Sequence, residues 1–285
     1  MFAVVAVCGC AGRRGAYVDA GSRYDRATKL AAEGRHLAAA RALARFAEDF
    51  PHDQKAHLAQ YESGVQYEAA GEREAAFEAF RTLRRKFEYS WLIPEANGRC
   101  LKIGRELLGS GDEFGVTVLD HVVASARHSD LAVEAHLALA EHAYDQARFA
   151  DAQREFAAVS VEYPKHEKAL YAGFRAALCA YRRIGGPARN MRHLQEARLR
   201  FGKLRASDLG IREQELADRY LEAIGELGAQ RHLEMARFYF KQGLVAPARA
   251  HLAEVLRRYP DAGARAEVAQ EVIELIQNEY NREEP

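Results

Sequence analysis

No Walker loop, no G-x-S-x-G, no H-E-x-x-H and no C-x-x-C occurs anywhere in the 285 residues. These absences leave no site for nucleotide hydrolysis, serine-type acyl transfer, zinc proteolysis or thioredoxin-like redox chemistry. No catalytic, metal-ligating or cofactor-binding set is expected. His136 and His142 are six residues apart, which puts them off a common helix face, and the histidines are otherwise scattered. Cys100 and Cys179 stand alone on apolar helical faces and read as buried free thiols. Lysine plus arginine balances aspartate plus glutamate at 41 each, so no net field favours nucleic acid. The basic clusters Arg84-Arg85-Lys86 and Arg257-Arg258 fall near helix ends, where cations complement the dipole. No stretch alternates apolar and polar residues as a strand would, and seven prolines punctuate an otherwise helical pattern. The expected fold class is all-α.

What is present is internal repetition. Ala236 is followed by Gly243, and Ala248, Leu252, Val255, Tyr259 and Pro260 follow that glycine by 5, 9, 12, 16 and 17 residues. The same steps lead from Gly34 to Ala39, Leu43, Phe46, Phe50 and Pro51, with Ala27 ahead of it. Gly71 has Ala76, Phe80, Leu83 and Phe87 with Gly64 ahead; Ala147 has Ala152, Phe156, Val159, Tyr163 and Pro164 with Ala140 ahead. Small residues on both helices of a pair allow close backbone approach. The glycine ends the first helix in a left-handed conformation, and the aromatic-proline pair ends the second. The pattern matches the tetratricopeptide repeat, in which no unit buries its apolar face without a neighbour. The expectation is a solenoid of about five to six helix pairs with a C-terminal capping helix.

In chain order, residues 1–12 (MFAVVAVCGCAG) are apolar and far too short to span a bilayer. Val7-Cys8-Gly9-Cys10 resembles a bacterial lipobox, with Cys10, preceded by glycine, as the lipidated residue; the segment reads as a partial lipoprotein signal. Residues 13–20 are expected as a linker, 21–129 as N-terminal repeats, 130–280 as C-terminal repeats and cap, and 281–285 as a frayed tail. The unit at 94–129 is degenerate, because Asp120 stands where a leucine or aromatic is expected. The loop GGPARNMRH lengthens the fifth unit, and a long helix starts near Glu213. Residues 264–280 make a last amphipathic helix.

The function expected of such a chain is binding, on the surface that repeat solenoids present to a peptide or partner. By repeat register that surface includes Tyr24, Thr28, Tyr61, Val65, Glu68, Leu101 and Arg105, with ordinary inter-repeat packing as the competing assignment for each.

Taken together, Cys10, ARFYFKQG (236–243), Ala248, VLRRYPD (255–261) and the long loop before QEARLRFGKL (195–204) resemble the BamD family, the tetratricopeptide lipoprotein of the outer-membrane β-barrel assembly machine. The resemblance is clearest over 131–280. It implies a periplasm-facing scaffold, lipid-anchored to the outer membrane. Its C-terminal repeats would dock on the BamA-like barrel-forming subunit, beside other assembly lipoproteins, and its N-terminal repeats would hold unfolded barrel substrates. His251 stands where family members often carry arginine; Arg249 and Arg257 are the alternative contacts. Scaffolds of envelope growth or division, and of pilus assembly, remain as alternatives of a different class.

Overall fold

The computed structural model describes residues 11–185, 191–207, 210–260, 268–270 and 272–273, with side chains from Ala20 onward. All regular structure among them is helical. The helices are α1 (Ala11–Ala32), α2 (His36–Asp49), α3 (Ala56–Ala69), α4 (Arg73–Lys86), α5 (Ile93–Gly109), α6 (Phe114–Ser125), α7 (Asp130–Asp145), α8 (Phe149–Glu162), α9 (Ala169–Arg182), α10 (Met191–Arg205), α11 (Ile211–Lys241) and α12 (Val245–Arg258). A 3-10 turn, Arg183–Gly185, follows α9. Helices adjacent in sequence pack as antiparallel hairpins, the arrangement of tetratricopeptide repeats. The chain divides into two compact units, residues 1–138 and 139–285. That division falls inside α7 rather than at the expected 129/130 boundary.

The turn inside a hairpin is made the same way in both units. The first helix ends on a residue in the left-handed region, and the next residue's N–H reaches back five positions. Arg35 donates to the Leu30 carbonyl at 3.0 Å, Glu72 to Tyr67 at 3.0 Å, Asp112 to Leu107 at 2.9 Å, Arg148 to Ala143 at 2.8 Å and Leu244 to Tyr239 at 3.0 Å. This satisfies carbonyls that the helix end leaves open. In four of these turns the left-handed residue is Gly34, Gly71, Gly111 or Gly243; in the other it is Ala147, at φ 57°.

In four of the hairpins the second helix ends on an aromatic residue; α6 ends instead on Ala126. Phe50, Phe87, Tyr163 and Tyr259 all have φ between −123° and −132° and ψ between 51° and 59°. Proline follows three of them, but Glu88 follows Phe87. The aromatic ring, partly or fully buried, is therefore more nearly the common element than the proline. Phe46, Leu43, Tyr24 and Ala27 form the core at the start of the first unit, with Phe50 and Phe87 at its margin. In the second unit Phe201, Leu194, Ile224, Leu252 and Val255 lie in one cluster with Tyr259.

Three expectations are corrected. Residues 13–20 are the opening turns of α1, not a linker. The 94–129 unit is a regular hairpin whose second helix is shifted by one residue. Gly115, Leu119 and Val122 are buried, each one residue ahead of the steps counted from Gly111, so that Leu119 fills the place read for Asp120. Gly104 lies against Leu119 as Gly64 lies against Phe80. The long loop of the fifth unit is shorter than read, because Met191, Arg192 and His193 already belong to α10. Of the expected capping helix, residues 268–270 and 272–273 are helical, and Ala269 is fully buried with Val272 and Ile273 against the same cluster; the remainder lies outside the described residues.

Candidate partner-binding surfaces

In the first unit, α1, α3 and α5 carry the expected surface residues, and the structure separates them into three kinds. Tyr24 and Leu101 are buried and belong to the core. The Tyr24 ring packs on Phe46, its hydroxyl donates to Glu62 Oε2 at 2.9 Å, and the Lys55 ammonium sits 4.5 Å over its face. Burial, then Glu62, holds this phenol protonated well past the ordinary tyrosine range. Thr28 and Val65 are half-buried, Thr28 bonding to its own helix through the Asp25 carbonyl at 2.9 Å.

Tyr61, Glu68 and Arg105 join a charged ladder between successive helices. Glu68 pairs with Arg99 at 2.9 Å and with Lys102 at 3.1 Å. Arg99 donates to the Tyr61 hydroxyl at 2.9 Å, and that hydroxyl donates to Glu95 at 3.4 Å. Arg73 pairs with Glu106 at 3.1 Å, and Arg105 pairs with Glu134. Every acid in this ladder has a basic partner from another helix or another turn. The pairs link α3 to α5, α4 to α5 and α5 to α7. Arg99 and Lys102 were not singled out from sequence, because a lone cation on a helix carries no signal until its partner, one repeat away, is known.

The second unit contains a different arrangement. The Arg175 guanidinium lies 4.6 Å from the Tyr144 ring centroid, 4.9 Å from Phe156 and 5.7 Å from Tyr171, and donates to the Tyr171 hydroxyl at 2.9 Å. Cation–π contacts of this kind stabilise a charge that is removed from water.

At the last repeat, His251 is half-buried, stacked on Tyr239 with centroids 5.5 Å apart and an interplanar angle of 11°, and its Nδ1 is 3.1 Å from that of His232. Arg249 is exposed, and Arg257 is exposed and holds Glu254 at 2.8 Å. Around the α11–α12 turn, Met235, Phe238, Phe240, Leu244 and Val245 are each 40–52% exposed. None of these five stands at a repeat step, and the sequence alone did not single them out. An open cleft beside the hairpin is lined by Arg198, Arg205, Asp218, Arg258 and Tyr259, with the Arg198 guanidinium 5.2 Å from the Tyr259 ring centre.

Residues 117–283, well over half of the chain, match the family described as outer membrane lipoprotein, YfiO. The chain belongs to that family. It is the outer membrane lipoprotein family that includes BamD. No curated protein matches the chain. The YfiO match begins within α6 and takes in every helix from α7 to α12, including the whole α11–α12 hairpin. Among the described residues no helix is long and apolar enough to cross a membrane. Cys10, the expected lipidation site of this YfiO-family chain, lies outside the described residues.

Proposed function

We propose that this chain is a lipid-anchored, periplasm-facing scaffold of the outer-membrane β-barrel assembly machine, with Cys10 as the acylated residue. Several acyl chains on one cysteine anchor stably, where a single chain is marginal. The α11–α12 hairpin docks on the barrel-forming, BamA-like subunit, and the ladder of Tyr61, Glu68, Arg99 and Arg105 holds unfolded barrel substrates. Other assembly lipoproteins share the scaffold.

The observation that carries this reading is the exposed apolar set around the α11–α12 turn, within the segment that matches the family. Large apolar side chains grouped at one end of a repeat array mark an interaction surface, and aromatic anchors dominate interface energetics. The experiment is affinity purification of the tagged chain from detergent-solubilised membranes, beside a Phe238→Glu/Leu244→Glu variant. Stoichiometric recovery of a barrel protein with repeated periplasmic domains, lost in the variant, is expected. Recovery of cell-wall or pilus proteins with no barrel subunit would overturn the reading in favour of an envelope or pilus scaffold.

A further inference from the structure

We propose that the turn between α4 and α5 is a lipid-contact loop that docks on an anionic bilayer surface; the choice of occupant rests on the lipid-anchor reading above. Tyr89 is 94% exposed and Trp91, the only tryptophan of the chain, is 74% exposed. Such exposure of two large aromatics two residues apart is unfavourable in water. Tryptophan and tyrosine are the side chains that settle at a bilayer's headgroup level.

The turn that presents them is fixed rather than loose. The Ser90 N–H donates to the Phe87 carbonyl at 2.9 Å, and the Ile93 N–H donates to the Ser90 carbonyl at 3.2 Å. The Ser90 hydroxyl accepts from the Leu92 N–H at 3.3 Å. Phe87, on the inner side of the turn, packs against the cluster of Leu43 and Phe46. The aromatics therefore project from a supported base.

Charge selects the kind of surface. Arg85 and Lys86 are exposed in the last turn of α4 and have no ion-pair partner among the described residues, against a single acid, Glu88, in the turn itself. His57, at the start of α3, lines the same shallow groove as Lys86, Tyr89 and Trp91. The helix dipole accounts for cations at a C-terminus, but it gives no reason for exposed aromatics beside them. Cations flanking interfacial aromatics fit an anionic headgroup layer.

Topology supplies the third argument. In antiparallel hairpins α1, α3 and α5 run in one direction across the first unit, and the α2–α3 and α4–α5 connections lie at the same edge. Arg23, midway along α1, pairs with Asp49 at the end of α2 at 2.9 Å, and Lys55 from the α2–α3 loop covers the Tyr24 ring. The α4–α5 turn thus shares its edge with the middle of α1, whose preceding turns run on past that edge in the direction of Cys10. A peptide partner would call for a walled groove, whereas these rings protrude from a turn, and a lipid surface is the partner that a protrusion can enter.

The test uses the full chain carrying Cys10→Ser, which removes the acyl attachment, and follows Trp91 emission on titration with vesicles. Phosphatidylcholine vesicles containing phosphatidylglycerol are expected to shift Trp91 to the blue and shield it from acrylamide, with the effect weakening as salt rises. Phosphatidylcholine alone is expected to give little change. The Arg85→Glu/Lys86→Glu variant keeps the reporter and is expected to bind about tenfold more weakly or worse; its circular dichroism must match the parent's. Unchanged emission with anionic vesicles overturns the proposal, as does an equal shift in the charge-reversed variant. A shift given by an unfolded barrel segment and by no vesicle assigns the loop to peptide instead. Acylation of Cys10, read by mass spectrometry of the membrane-extracted chain, tests the anchor independently.

Discussion

His232 and His251 face each other Nδ1 to Nδ1 at 3.1 Å across the α11–α12 hairpin. One nitrogen must donate and the other accept, so the contact cannot hold with both rings protonated. Burial, then His251, lowers the His232 pKa; Arg258 acts in the same direction and Glu254 opposes it. A histidine with a depressed folded pKa binds fewer protons folded than unfolded, so stability rises with pH across that window. The second unit is therefore expected to lose stability as pH falls below about 6.5, the unfolded histidine value. His232→Gln should flatten that slope. The check is the urea midpoint against pH for both proteins; parallel profiles would remove His232 as the cause.

Ala147 occupies the left-handed position that glycine fills in the other four turns of this type, at φ 57°. The left-handed region costs a non-glycine residue about 1–2 kcal/mol. Ala147→Gly should stabilise the chain by about 1 kcal/mol, after subtracting glycine's larger unfolded-state freedom. Gly243→Ala should destabilise it by a similar amount through conformation alone, because a Cβ there meets nothing within 4 Å. Chemical denaturation of the two variants checks both signs.

The turn positions were legible because they sit at fixed steps from small and aromatic residues; Ala147 was placed correctly even without its glycine. Register was less legible where one residue is dropped. Asp120 made the 94–129 unit look degenerate, when Leu119 fills the place one step earlier. The candidate surface was read by position, and position does not distinguish facing a ligand from facing the next helix. Leu101 and Tyr24 proved to be core, while Glu68 and Arg105 joined ion pairs whose partners lie 31 and 29 residues away. Pairings at that separation are set by hairpin stacking and leave no local sequence mark. For the same reason the aromatic surround of Arg175, drawn from α7, α8 and α9, was invisible.

Gly228 is the close-approach point of the last hairpin. A Cβ there would lie 2.4 Å from the Tyr259 ring, whereas one at Gly225, a turn earlier, would meet nothing within 4 Å. Gly228→Ala must displace the ring that ends α12, and should cost about 1–3 kcal/mol as an overpacked site. Gly225→Ala should be neutral or stabilise by up to about 1 kcal/mol through helix propensity. Thermal unfolding of the pair separates packing from propensity; equal effects would show that Tyr259 yields freely. If the hairpin docks as proposed, Gly228→Ala should also weaken recovery of the barrel subunit, and Gly225→Ala should not.

Cys100 and Cys179 are both buried and free, one in each compact unit. Burial, reinforced by Glu68, pushes the Cys100 thiol up to about 12. Burial also raises Cys179 to about 11, against the opposing pull of Arg175 and Arg200. The thiolate is the reactive form, so neither should be labelled by a disulfide reagent at neutral pH while its unit is folded. In a Cys8→Ser/Cys10→Ser background each thiol then reports the opening of its own unit. Labelling is expected to rise with denaturant, and peptide mass spectrometry assigns the rise to Cys100 or Cys179 separately. Coincident transitions would mean that the units unfold together, and separate ones that they open independently. Rapid labelling of either thiol without denaturant would show that its helix face opens in the native state, contrary to the packing around Leu101 and Ala176.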